Sequence, residues 1–241
     1  MRRLVHAEVL GLRSIRAPWL ILLAAQAALL VGVAGLVANT DTSDPDLATK
    51  AVAHVGLVSL FSLVLGITAV AGEYRHRTVT VGFLATPSRR PVLVAKLVVY
   101  TILGLVSGVV SAAIAFAATA AALAADGVSM PTSDADLWWT LAGGVLWNAA
   151  FAAIGVGVGG LVRNPATAVG AALAWLALVE GLVAQLSDTL GRWLPFAAGR
   201  ALGRLPGTDG LAPGTAGVVL ACYAVVFAVA GAVAVQRSDV S

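Results

Sequence analysis

Six long apolar runs separated by short polar loops dominate the chain. They fall at about 19–37, 51–71, 92–125, 138–162, 166–186 and 215–235, and each offers close to the roughly 20 residues that a helix needs to cross about 30 Å of hydrocarbon. The pattern predicts an all-α, polytopic integral membrane protein, with residues 1–241 forming one transmembrane domain. The third run exceeds one crossing. No Pro or charge cluster interrupts it beyond Lys96 near its start, so it predicts a single helix that tilts or projects from the bilayer. Gly104 and Gly108 give that helix a small-residue face suited to close packing.

Three segments outside the runs carry a pattern of their own. Residues 1–16 place Leu4, Val5, Val9, Leu12 and Ile15 on one stripe at helical spacing, with Arg2, Arg3, His6, Arg13 and Arg16 largely opposite. This predicts an interfacial helix whose arginines meet anionic lipid. Residues 188–213 mix Trp193, Leu194, Pro195, Phe196 and Leu202 with Arg192, Arg200 and Arg204. They are too charged to span, and predict an outer re-entrant or interfacial loop of short helices. The third segment, 73–91, is the most charged.

Composition agrees with the membrane reading. Hydrophobic residues make up 59% of the chain and charged residues 11%, against about 25% charged in an ordinary soluble domain. Too few polar side chains remain to solvate the exterior of a soluble protein of this size. The net charge of +3 reflects topology. With both termini cytoplasmic, eleven of the fifteen Lys and Arg residues fall on the inner side, leaving Lys50, Arg192, Arg200 and Arg204 outside, as the positive-inside rule requires of a multi-pass protein of the cell membrane. The basic residues are not gathered with aromatics on one face, so no nucleic-acid partner is expected. Cys222 is the only cysteine, which excludes an intramolecular disulfide and a cysteine metal cluster. The first apolar run, as long as a full span, reads as an uncleaved helix rather than a signal peptide.

Signatures of catalysis are missing. Gly155, Gly157, Gly159 and Gly160 lie inside an apolar run and have no GxxxxGK[ST] context, so they read as helix-packing glycines. His6, His54 and His76 fall at three separate places, and neither HExxH nor GxSxG occurs. Ser107 and Ser111 read as helix-packing hydroxyls. One acidic residue, Glu180, lies inside an apolar run. An intramembrane carboxylate is a functional candidate by default, and the other reading is that it is protonated or hydrogen-bonded to a neighbouring helix near the outer boundary.

The stretch from Gly72 to Lys96, GEYRHRTVTVGFLATPSRRPVLVAK, combines Glu73, Arg75, His76, Arg77, Arg89, Arg90 and Lys96 with apolar Val79, Val81, Phe83 and Leu84. A connector between two spans needs only a few polar turn residues. Apolar side chains rimmed by charge are what a protein-contact patch presents. Its most specific features are Glu73 at the end of a span, Arg77-Thr78, Leu84 before Thr86-Pro87, the pair Arg89-Arg90, and Ala95-Lys96 opening the next span. With the basic N-terminal helix and six spans, this stretch resembles the membrane subunits of ATP-binding-cassette transporters of the second exporter type. Arg77 departs from the glycine that many relatives carry there.

The resemblance implies a cytoplasmic coupling helix in the 73–91 loop. Arg77, Thr78, Val79, Val81, Phe83 and Leu84 would contact a separate ATPase subunit. Glu73 would anchor the loop to the N-terminal helix, with Arg13 or Arg16 as its partner. It further implies two copies of the ATPase carrying ATP and Mg, no cofactor on this chain, a second permease subunit as homodimer or heterodimer, and export by alternating access. A different class of function, ATP-independent secondary transport or a channel using Glu180, rests on the carboxylate alone.

Overall fold

A computed structural model describes residues 1–75, 90–206 and 210–237. An amphipathic helix, Arg2–Ser14, leads into six helices long and apolar enough to cross a membrane: Ala17–Asn39, Leu47–Glu73, Pro91–Ala125, Ala135–Leu161, Pro165–Leu186 and Pro213–Gln236. We refer to these as the first to sixth spans. The third runs unbroken. The second tightens to a 3₁₀ turn at Ala53–Val58, and the fifth carries a π-helical turn at Trp175–Val179.

Local chemistry sets the ends of these helices. The Asp134 carboxylate accepts from the Asp136 amide at the start of the fourth span. Asn164 caps the fifth span, whose first residue, Pro165, has no amide hydrogen to satisfy. The second span begins four residues earlier than its apolar run. Lys50 is drawn into the helix by its ion pair with Asp44 at 2.6 Å, a bond that holds the Asp44 carboxyl below the ordinary aspartate range.

The fourth span is the centre of the bundle, with Leu137, Trp147, Phe151 and Val156 fully or almost fully buried. Lipid tails are as apolar as leucine, so close van der Waals approach must supply much of the helix association, and glycines provide it on several faces. Gly155 and Gly159 meet the backbone of Leu63 and Ile67 in the second span, and Gly157 and Gly160 meet Phe227 and Gly231 in the sixth. Gly104 and Gly108 bring the third span against Asn148 and Val145 of the fourth. One polar network lies within this packing. Asn148 donates to the carbonyls of Val55 and Gly144 and accepts from Ser62 Oγ at 2.8 Å, so its buried amide is satisfied.

The first and fifth spans lie at the periphery. Leu20, Leu23 and Val31 of the first and Leu178, Leu182 and Leu186 of the fifth are exposed, an arrangement suited to lipid or to another apolar chain and costly in water.

After the fifth span come two short helices, Asp188–Gly191 and Pro195–Leu202. The second packs on Trp147, whose indole meets Phe196 edge-on and abuts the backbone at Gly199. Trp147 stands twelve residues into the fourth span, about 18 Å along the helix, so this short helix reaches the middle of the bundle.

Candidate functional site

The amphipathic helix is seated by its apolar stripe. Leu12 is buried with Val70, Leu93, Val99 and Tyr100, and Val5 and Val9 pack against the same cluster. The helix thus lies across the end of the second span and the start of the third, the two helices that flank residues 76–89.

Its single acid meets the single base of the third span there. Lys96 Nζ stands 2.8 Å from Glu8 Oε2 and 2.6 Å from Glu73 Oε1. The Lys96 side chain is 4% exposed, against 18% for Glu8 and 37% for Glu73. A lysine removed from water to this degree is stable only beside opposite charge with good hydrogen bonds, and two carboxylates supply both. Chemically the cluster can do one thing, which is to hold three elements in fixed relation. It joins the amphipathic helix to residues on both sides of the loop.

The residues singled out in the sequence divide into four groups, Glu180 standing by itself. Glu73 belongs to this cluster, with Lys96 as its partner. Arg13 and Arg16 are exposed, and Glu73 is ion-paired to Lys96 instead. Arg77, Thr78, Val79, Val81, Phe83 and Leu84 lie outside the described residues. Sequence reasoning missed Glu8 altogether. The available signal was that Glu8 is the only acidic residue before Asp41, and Lys96 the only charged residue between Pro91 and Ala125.

Glu180 is placed apart from this cluster. It is 5% exposed, and its carboxylate accepts from the Phe196 amide at 3.0 and 3.2 Å and from the Ala197 amide at 3.3 Å. These are orphan donors of the first turn of Pro195–Leu202, where a negative charge also meets the positive end of the helix dipole. The residue therefore caps the short helix from the fifth span. Glu180→Gln keeps an acceptor oxygen and is expected to cost about 1 kcal/mol, whereas Glu180→Leu strands the amides and costs about 2 kcal/mol or more. Thermal unfolding of the two variants in detergent checks this, and equal losses would count against the capping role.

Among the described residues no three His, Cys, Asp or Glu side chains gather to hold a metal ion. The sequence model of a family described as ABC-2 family transporter protein matches residues 20–195, which take in all but the first three residues of the first five spans and the segment between the second and third. No curated protein matches the chain.

Proposed function

The chain belongs to the ABC-2 transporter family, and from that premise we propose that it is one half of an ATP-driven exporter whose motor is a separate ATPase. It is a multi-pass, non-catalytic permease subunit. Two ATPase subunits carrying ATP and Mg would close on nucleotide binding and push on the segment containing Arg77, Thr78, Val79, Val81, Phe83 and Leu84. Two permease subunits, identical or similar, would then exchange inward-open and outward-open states, with the substrate between them. Such coupling works only if ATP binds one global state better than the other. Both termini would be cytoplasmic, in the cell membrane.

The observation that carries this reading is the Glu8–Lys96–Glu73 cluster. A push delivered to a loose tether is dissipated in the tether. A loop whose flanks are ion-paired to each other and to a membrane-surface helix passes the displacement to two spans at once. The rival reading, ATP-independent transport through Glu180, is weakened because that carboxylate is engaged by the amides of Phe196 and Ala197.

Co-purification tests the proposal. Tagged protein drawn from its native membranes in mild detergent is expected to bring down an ATPase subunit, and the Phe83→Asp, Leu84→Asp double variant to lose it while inserting normally. Wild type arriving without an ATPase, or the variant retaining it, would refute the docking role of this segment.

A further inference from the structure

A cleft of about 640 Å³ opens between the third, fourth and sixth spans, away from the charged cluster. Its walls are almost wholly apolar and made largely of small residues, among them Gly143, Ala150 and Ala153 of the fourth span and Gly217, Ala221 and Ala224 of the sixth. Exposed Leu146 and Val218 lie along its open side. Along the sixth span the lining extends from Pro213 to Ala224, about 16 Å of helix axis. That is close to one leaflet, half of a hydrocarbon core about 30 Å thick.

One end of the cleft is charged. Arg204 lines it together with Trp139, and the Arg204 guanidinium is ion-paired to Asp136 in the first turn of the fourth span. Arg204 sits just past the helix Pro195–Leu202, where the Leu205 amide donates back to the Arg200 carbonyl and the Arg204 amide to that of Ala201. This helix ending places Arg204 at φ 50, and among the described residues it is the only non-glycine with positive φ. Glycine adopts that conformation without strain. An arginine there places a guanidinium where the cleft meets the polar zone, beside a carboxylate and an interfacial tryptophan.

We propose that this cleft binds one zwitterionic phospholipid with a primary ammonium headgroup, of the phosphatidylethanolamine type. One acyl chain fills the apolar cleft, the phosphate takes the Arg204 guanidinium, and the ammonium takes the Asp136 carboxylate. The paired charges select the class. Phosphatidylglycerol would satisfy Arg204 through its phosphate but bring Asp136 only neutral hydroxyls in place of a cation, and a quaternary ammonium has no N–H to donate to Asp136. Tryptophan at headgroup level and a groove one leaflet long place the lipid in the leaflet on the side where the fourth and sixth spans begin. The site is independent of whether an ATPase drives the chain.

The test uses the full chain in nanodiscs of equimolar phosphatidylethanolamine, phosphatidylcholine and phosphatidylglycerol, with lipid retained after detergent release counted by native mass spectrometry. Wild type is expected to retain phosphatidylethanolamine over each of the others by roughly tenfold, the scale of one charge-assisted hydrogen bond. Arg204→Gly, which relieves the backbone strain and so keeps the fold, and Asp136→Asn are expected to abolish the preference. Ala221→Leu, which fills the cleft, is expected to abolish retention of all three. Equal retention of the three lipids by wild type, a preference for phosphatidylglycerol, or a preference that survives Arg204→Gly would overturn the assignment. So would an intermolecular cross-link through Ala221→Cys in a Cys222→Ser chain, because the cleft would then be an interface with a second copy.

Discussion

Lys96→Met is expected to lower stability by about 3 kcal/mol and to abolish transport. Methionine keeps most of the side-chain volume, so the loss isolates charge. It leaves Glu8 and Glu73 facing each other without the ammonium that each now contacts within 3 Å. Removing one partner of a buried ion pair costs about 3–5 kcal/mol. The lower end applies because Glu73 is more than a third exposed and water can screen it. The triple variant Glu8→Gln, Glu73→Gln, Lys96→Met separates stability from coupling. Replacing a whole buried ionic cluster by neutral groups is often near neutral, so the triple variant is expected to recover most of the melting temperature. Transport is expected to stay low, because amide and thioether cannot fasten the amphipathic helix to the flanks of the loop as an ion pair does. Recovery of both together would reduce the cluster to a structural role.

Trp147→Ala is expected to cost about 3–5 kcal/mol, the range for deleting a large buried aromatic. The indole is wedged between Gly56 and Gly199, touches Gly203, and meets Phe151 and Phe196 edge-on at 5.7 and 5.5 Å. Alanine leaves a cavity that glycine neighbours have no side chains to fill. The short helix Pro195–Leu202 then loses its main contact with the fourth span, so limited proteolysis should cut residues 188–206 before the spans. Trp147→Phe should lose far less, because the indole Nε1 has no hydrogen-bond partner among the described residues and only volume is removed. Equal losses for Phe and Ala would show that the nitrogen matters and that the packing account is wrong.

The spans were legible in the sequence because burial in lipid demands long apolar runs whatever lies beside them. The six helices extend past those runs by only a few residues, as where Lys50 joins the second span through its pair with Asp44. The charged cluster was legible only in halves. Lys96 and Glu73 belong to one conspicuous stretch, but Glu8 is 88 positions from Lys96, and no local periodicity relates them. Arg13 and Arg16 were the natural partners by charge alone. The choice of Lys96 follows from the amphipathic helix burying Leu12, with its apolar stripe packed on the second and third spans, which turns Glu8 toward the third span. Glu180 stood out for the cost of an acid in hydrocarbon. Its partners are backbone amides of Phe196 and Ala197, and backbone groups look alike in every sequence. Trp147 looked like any aromatic residue of an apolar run, because the glycines that enclose it come from segments about 50 and 90 residues away and meet only in the folded bundle.

The proposed exporter mechanism depends on an ATPase engaging the segment of Arg77, Thr78, Val79, Val81, Phe83 and Leu84. It is tested most directly by placing the only cysteine at Phe83, in a Cys222→Ser chain, and cross-linking in native membranes with and without ATP. The expected result is a cross-link to a polypeptide carrying a GxxxxGK[ST] nucleotide-binding motif, with a yield that changes when ATP is added. A cysteine at this position that reacts only with lipid or with a second copy of the chain, while neighbouring positions do the same, would contradict it.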